Sequence, residues 1–169
     1  YRDNRLNAIH EGTNGIQGLD LLGRKVTMKN GAALRLLMGE IQQTIKATAA
    51  DATLAEFSAA LAKASEAAAA TTQALAAAAM QGKIDLFLAN AHLYLEMLGH
   101  IVVAWMWLRQ AQAAQSARAT ATAADQDFYE GKRVACQYFF RYELPKAHRN
   151  AELLARLDDT CLRLSAASL

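Results

Sequence analysis

Helix-breaking residues are scarce in this sequence, which has one proline and nine glycines among 169 residues. Proline and glycine are the least favourable residues in the interior of a helix, and alanine, which is abundant here, is the most favourable. The composition therefore predicts an all-α protein. We expect an antiparallel helical bundle of four to five helices.

Cysteine and excess charge of one sign are also scarce. The two cysteines, Cys136 and Cys161, have no cluster of further metal ligands around them, so neither a disulfide framework nor a zinc site is predicted. Each lies among apolar residues at helical spacing, which predicts two buried structural thiols in a reducing cytoplasm. With 18 basic and 16 acidic residues the net charge is +2, and no basic stripe indicates a nucleic-acid partner.

Long apolar runs are absent too. The longest strongly apolar run, residues 97–108, has 12 residues and includes His100. A helix that spans a bilayer needs roughly 20 apolar residues, so no membrane span is predicted. The chain begins at Tyr1 with residues typical of the end of a helix rather than a signal peptide, and we expect a fragment of a longer protein.

Apolar residues at spacings of three and four divide the chain into helices. A turn is expected at 23–31 and a loop at 116–125. Thr53 and Glu56 form a capping-box pattern, Gly82 is a natural C-cap, and Pro145 predicts an end, kink or restart. Core anchors are expected at Met80 in the second long helix and, in the later helices, at Phe128, Val134, Tyr138, Phe139, Leu153, Leu154, Leu157 and Leu164. The predicted helices cover residues 33–49, 53–81, 83–118, 126–143 and 146–164.

The predicted helix 83–118 is apolar on nearly all sides in its middle, which is typical of a central or interface helix. Trp105 and Trp107 lie two residues apart and point to different sides, which favours packing over cofactor stacking. His92, Glu96 and His100 follow one another at four-residue steps near one face. No second helix offers a matching carboxylate and histidine pair, so we predict a hydrogen-bonded row in the core or an interface rather than a metal site.

The N-terminal segment contains a carboxylate in a break between two helical stretches, in the order Glu11, Gly12, Thr13, Asn14 and Gly15. Glycines allow another molecule to approach the backbone, and a helix that begins nearby leaves N–H groups for an anion or carbonyl. The alternative is a helix C-cap at Gly12 followed by an N-cap at Thr13 or Asn14. Spacing alone favours the cap.

Residues 9–17, with the sequence IHEGTNGIQ, resemble a motif of the flavin-dependent acyl-CoA dehydrogenase family. The usual motif is isoleucine, tyrosine, glutamate, glycine, threonine, two variable residues, isoleucine and glutamine, and His10 here replaces the tyrosine. Residues 2–3 and 19–25 extend the similarity. The remainder resembles the C-terminal helical extension of larger bacterial members of the 3-methylmercaptopropionyl-CoA dehydrogenase type. The resemblance implies that residues 1–30 end the catalytic helical domain and residues 31–169 form the extension.

The resemblance also implies a reaction, in which an acyl-CoA is oxidised to a trans-2-enoyl-CoA with FAD as the cofactor. Glu11 would be the catalytic base and Gly12 would lie against the substrate. The residues implied to contact FAD are Thr13, Asn14, Gly15 and Gln17.

Further implications concern partners and location. The family implies an electron-transfer flavoprotein as electron acceptor, a homo-oligomer and the cytoplasm of a bacterium. Because family members place most of their FAD and CoA contacts before this motif, residues 1–169 alone are expected to be inactive and to lose FAD. The alternative is a stand-alone helical interaction module in which residues 11–13 only cap a helix.

Overall fold

The structure is a computed structural model that describes residues 2, 13–118, 120–163 and 165. Every regular element in these residues is helical, which confirms the all-α prediction. Five of the described helices have eleven residues or more, as the predicted bundle requires. The helices are α1 (Asn14–Asp20), α2 (Met28–Thr48), α3 (Ala55–Met80), α4 (Ile84–Leu88), α5 (Ala91–Arg118), α6 (Ala123–Tyr138) and α7 (Pro145–Ala155).

Helix α5 is the centre of the bundle, with α1, α2, α3, α6 and α7 in contact with it. Its fully buried side chains recur every three or four residues, so they form one continuous face. They are Tyr94, Met97, Ile101, Ala104 and Leu108. The prediction of a central helix is therefore confirmed. By length and hydropathy α5 also qualifies as a membrane span, a property that core helices share, so the lack of a span stays a prediction.

The predicted single helix 83–118 is wrong at its start, because α4 and α5 are separated at Asn90. The amides of Leu93 and Tyr94 both donate to the Asn90 carbonyl, so α5 begins there. The Asn90 side chain donates to the carbonyl of Asp158 at 3.1 Å, which ties the break to the C-terminal tail. Sequence spacing contains no sign of that long-range bond.

The turn between α2 and α3 does not use the predicted capping box. The backbone amide and the hydroxyl of Thr53 both donate to Asp51 Oδ1, at 2.8 and 2.7 Å, and α3 begins at Ala55. Asp51 Oδ2 accepts from Gln115 Nε2 of α5 at 2.6 Å. These hydrogen bonds, those of Thr53 first, hold the pKa of the Asp51 carboxyl below its usual value. Asp51 rather than Glu56 therefore supports the start of α3.

Glycine and proline act where the sequence predicts. Gly82 has φ of 78°, and Lys83 donates to the Ala78 carbonyl at 3.1 Å, which is a Schellman-type C-cap for α3. Pro145 is in the first turn of α7, which restarts the helix after a π-helical turn at Phe139–Glu143. Left-handed backbone at residues 29–31 interrupts the start of α2, at the end of the expected turn. The turn is shorter than the predicted range 23–31, because residues 23–25 belong to the π-helical turn Leu21–Lys25. A domain boundary at 30/31 stays a prediction.

The last predicted helix is too long. Helix α7 ends at Ala155, and Leu157 adopts φ of 52°, which turns the tail toward Asn90. Leu154 is buried, but Leu153 is 39% exposed and Cys161 is exposed, so the predicted burial of Cys161 is wrong. Leu164 lies outside the described residues.

Most of the large apolar residues of α6 lie outside the core, contrary to the prediction. Phe128, Val134 and Tyr138 are 60%, 49% and 56% exposed. The core instead receives Cys136 and Phe140 from the opposite face, and Phe140 packs against Phe57 of α3 with ring centroids 5.0 Å apart. Met80, another expected core residue, is 83% exposed at the end of α3.

The different burial of the two thiols predicts that they react with alkylating reagents at different rates. Cys136 has no exposed surface, and its burial raises the thiol pKa to about 12, whereas Cys161 is exposed. Because the thiolate is the reactive form, iodoacetamide at about pH 8 should label Cys161 quickly and Cys136 only after unfolding. Mass spectrometry of the native chain should show one label, and Cys161→Ser should show none. Rapid labelling of Cys136 would contradict the packing of α6.

Candidate functional site

The segment with the predicted catalytic motif leads directly into α1. Glu11 and Gly12 lie outside the described residues, so their roles stay predictions. The first described residues after them are all exposed, and so are those predicted to contact FAD: Thr13, Asn14, Gly15 and Gln17. The structure therefore brings the predicted cofactor residues together on one accessible turn.

Helix α1 begins where the sequence predicts, but without the predicted side-chain cap. The Gln17 amide donates to the Thr13 carbonyl at 2.8 Å, which closes the first helical turn. Thr13 occupies the N-cap position, yet its hydroxyl does not bond to the helix. The cap alternative thus explains the position of Thr13, whose hydroxyl has no hydrogen-bond partner among the described residues.

The last turn of α1 is fixed to the bundle by Gly18. A Cβ atom at Gly18 would lie 2.7 Å from the Ala91 carbonyl oxygen and 2.8 Å from the His92 nitrogen, closer than real side chains come. Only glycine permits this approach of α1 to the first turn of α5. Leu22, 1% exposed in the π-helical turn Leu21–Lys25, continues the same contact. The contacts of Gly18 and Leu22 therefore hold the exposed first turn of α1 in place on the bundle.

Ion pairs stabilise the end of this segment only weakly. Asp20 accepts from Arg24 Nε at 2.5 Å, and Lys25 Nζ lies 3.1 Å from the other carboxylate oxygen. These two cations, Arg24 first, lower the pKa of Asp20. Because both cationic side chains are more than half exposed, water and salt screen the pairs. Packing of Gly18 and Leu22, rather than charge, holds α1.

The row of His92, Glu96 and His100 on α5 is a hydrogen-bonded surface feature. His100 Nδ1 lies 2.7 Å from the Glu96 carbonyl oxygen, and Asn150 Nδ2 donates to Glu96 Oε2 at 3.3 Å. Glu96 and His100 are thus hydrogen-bonded, but His92 and Glu96 are exposed, so the row does not lie in the core of this chain. Among the described residues, no three His, Cys, Asp or Glu side chains converge as a metal site would require.

The two tryptophans point to different sides of α5, as predicted. Trp105 Nε1 donates to Thr44 Oγ1 of α2 at 2.7 Å. Trp107 lies toward α6, with Lys132 Nζ 5.8 Å from its ring centroid. Both rings contact the bundle, which agrees with packing rather than cofactor stacking.

A cavity of about 280 Å³ lies between the ends of α5 and α6, and no motif in the sequence indicates it. Arg118 and Arg133 line it, but both guanidinium groups pair with Glu130, at 2.9 and 2.5 Å. The pairs lower the pKa of Glu130, Arg133 contributing first. Because the two positive charges already have a carboxylate partner, this cavity does not provide a strong anion site.

Comparison with known proteins adds two findings. Residues 37–165 match the family described as "Acetyl-CoA dehydrogenase C-terminal like". The chain is also 31% identical over 173 aligned residues to the broad-specificity linear acyl-CoA dehydrogenase FadE5 of Mycobacterium tuberculosis. That alignment covers 99% of this chain and 28% of the relative, so the chain spans less than a third of the relative's length. The family match begins after the motif segment, whereas the alignment with the relative covers nearly the whole chain.

The close contact at Gly18 predicts a difference between two glycines of the same short helix. Gly18→Ala should lower the free energy of unfolding by about 1–3 kcal/mol, because the new methyl group overlaps the α5 backbone. Gly15→Ala is the matched control, since a Cβ atom there has no neighbour within 4 Å. Urea denaturation of both variants measures the difference. Equal stabilities would contradict the α1–α5 contact.

Proposed function

This chain belongs to the acetyl-CoA dehydrogenase C-terminal-like family, and on that premise we propose that it is the C-terminal part of an FAD-dependent acyl-CoA dehydrogenase. The observation that carries the proposal is the continuity of residues 9–17 with the family-matched helices. The motif that resembles the dehydrogenase active site leads into α1, and α1 is fixed to α5 by Gly18. The helical extension thus supports the end of the catalytic segment.

The exposed turn of α1 suits a flavin cofactor chemically. The hydroxyl of Thr13 and the amides of Asn14 and Gln17 both donate and accept hydrogen bonds, as the carbonyl, hydroxyl and phosphate groups of FAD require. Their side chains form no hydrogen bond with another described residue. Ile16, on the same turn, is 68% exposed, so a further domain would bury apolar surface there. Thr13, Asn14, Gly15 and Gln17 would hold the cofactor.

In the proposed reaction Glu11 takes a proton from the carbon α to the thioester carbonyl of an acyl-CoA. FAD, when bound, supplies the acceptor for the hydride that leaves the β carbon, and the product is a trans-2-enoyl-CoA. Gly12 allows the substrate to approach the backbone, where N–H groups stabilise the negative charge that develops on the carbonyl oxygen. Enclosure of Glu11 beside an acyl chain would raise its pKa and make it a stronger base.

The rest of the enzyme would come from polypeptide outside this chain. Because the chain aligns with 28% of its relative, most contacts to FAD and CoA would lie elsewhere. We therefore expect residues 1–169 alone to bind FAD weakly and to show no dehydrogenation. An electron-transfer flavoprotein as acceptor and the bacterial cytoplasm as location complete the proposal.

Substitution of the proposed base tests the function. In the complete dehydrogenase, Glu11→Gln should reduce acyl-CoA turnover by about a hundredfold to ten-thousandfold, because an amide cannot accept the α proton. The flavin absorbance should be retained, which separates loss of the base from loss of the cofactor. Glu40→Gln, an exposed carboxylate on α2, is the control and should keep full activity. Normal turnover by Glu11→Gln would overturn the assignment.

A further inference from the structure

The short connection between α4 and α5, residues 89–90, lies beside the segment that follows the proposed active-site motif. We call this connection the α4–α5 break. A Cβ atom at Gly18 of α1 would lie 2.7 Å from the Ala91 carbonyl oxygen. A Cβ atom at Gly23, in the π-helical turn after α1, would lie 3.3 Å from Leu88 Cδ2. The motif-bearing segment therefore contacts the chain just before and just after the break.

The C-terminal tail, residues 156–163, contacts the break itself. Asn90 Nδ2 donates to the Asp158 carbonyl at 3.1 Å, and the exposed thiol of Cys161 lies 3.6 Å from the carbonyl oxygen of Ala89. These contacts join residues that are 68 and 72 positions apart in the chain. The tail and the motif-bearing segment thus meet at neighbouring residues of one backbone stretch.

Asn90 occupies the N-cap position of α5 and directs its side chain to the tail. Its carbonyl accepts from the amides of Leu93 and Tyr94 at 3.0 and 3.4 Å, which starts the helix. An asparagine at an N-cap ordinarily uses its side-chain oxygen to accept from an amide of the first turn. Here Nδ2 donates to Asp158 and Oδ1 lies 4.0 Å from Cys161 Sγ. The residue that begins α5 is therefore bonded to the tail.

The tail has a defined backbone path to this contact. Leu157, which packs against the core, has φ of 52° and turns the chain after α7. Positive φ is unfavourable for leucine, so surrounding contacts must hold this turn. Asp158 Oδ1 then accepts from the Thr160 amide at 3.1 Å, and a 3₁₀ turn follows at Thr160–Leu162. The Asp158 carbonyl is thus held between two local turns.

Helix α4 is too short to fix the break without help. It has five residues, Ile84–Leu88, and a helix of that length is not stable by itself in water. Phe87, 7% exposed, anchors it in the core. The direction in which the chain leaves α4 and enters α5 therefore depends on tertiary contacts, and the tail provides those at Ala89 and Asn90.

We propose that the C-terminal tail positions the proposed active-site segment through the α4–α5 break, and that Asn90 is the positioning residue. The first turn of α1, proposed to hold FAD, begins at Asn14, about 6 Å along the helix from Gly18. A change in the break would move Ala91, and with it Gly18 and that turn. The coupling between tail and α1 follows from the contacts above, whereas its effect on catalysis rests on the proposed function.

Asn90→Asp tests the coupling in this chain. Aspartate is as favourable as asparagine at an N-cap, but it cannot donate to the Asp158 carbonyl. Hydrogen–deuterium exchange followed by mass spectrometry should show about threefold to tenfold faster exchange in residues 13–25, with α6 unchanged. Arg163→Ala is the control, because it removes only an exposed ion pair with Asp159 farther along the tail.

The control should exchange like the wild type. Unchanged exchange of residues 13–25 in Asn90→Asp would overturn the proposal. An increase of the same size in α6 would overturn it as well, because it would show a general loss of stability rather than a local coupling.

Two substitutions at Leu157 test whether the path of the tail matters. Proline is locked near φ of −65° and cannot make the turn, whereas glycine adopts positive φ freely. Leu157→Pro should therefore speed the exchange of residues 13–25 about as much as Asn90→Asp, and Leu157→Gly should speed it less. The double variant Asn90→Asp with Leu157→Pro should exchange no faster than the faster single variant. Equal effects of proline and glycine, or additive effects in the double variant, would contradict the coupling.

The complete dehydrogenase tests the positioning of the active site. With FAD at saturation, Asn90→Asp should lower kcat about tenfold, because a small misplacement of the catalytic segment slows the reaction. The KM for acyl-CoA should change less, since most CoA contacts would lie elsewhere. If Glu11→Gln abolishes turnover while Asn90→Asp keeps the wild-type kcat, the proposed function stands and the positioning role fails. Normal turnover by Glu11→Gln would instead overturn the assignment of the base, and with it the positioning of an active site by Asn90.

Discussion

Burial of helix α5 is the interaction on which the rest of the structure depends. Five of its side chains, from Tyr94 to Leu108, have no exposed surface. Water does not reach them because α3 and α7 pack closely against α5. Buried alanines, such as Ala64, Ala68 and Ala151, lie on these two helices. The hydroxyl of Tyr94 pairs with Thr72 at 2.8 Å, and burial raises the Tyr94 pKa despite that bond. A neutral, hydrogen-bonded tyrosine can therefore lie inside an otherwise apolar core.

The sequence predicts those elements whose bounds and buried side follow from their own residues. Helices α2 and α3 have one apolar stripe each, and Gly82 and Pro145 act through local backbone chemistry. Helix α6 has two apolar faces, and spacing cannot decide which of them meets the core. The aromatic face offers the larger side chains, but Cys136 and Phe140 fill the space beside Phe57. The predicted end of the last helix is wrong for a related reason. After α7 the tail turns toward Asn90, which donates to the carbonyl of Asp158, and the two residues are 68 positions apart in the chain.

The candidate site, too, is predicted only in part by the sequence. The order of residues 11–17 indicates a place for chemistry, and the resemblance to a known motif assigns the roles. Three glycines, Gly15, Gly18 and Gly131, cannot be told apart by sequence. The structure separates them, because a Cβ atom at Gly18 meets the α5 backbone and one at the other two meets nothing. The sequence alone therefore could not show that Gly18 is the residue that positions α1.

The exposed turn of α1 and the exposed side of α6 lie beside different parts of α5. Helix α1 contacts α5 at Ala91 and His92, whereas the depressions between α5 and α6 begin at Glu96 and continue beyond Trp107. At 1.5 Å per residue, Glu96 and Trp107 lie about 6 and 23 Å along the helix from His92. One central helix therefore supports both the proposed active-site segment and α6.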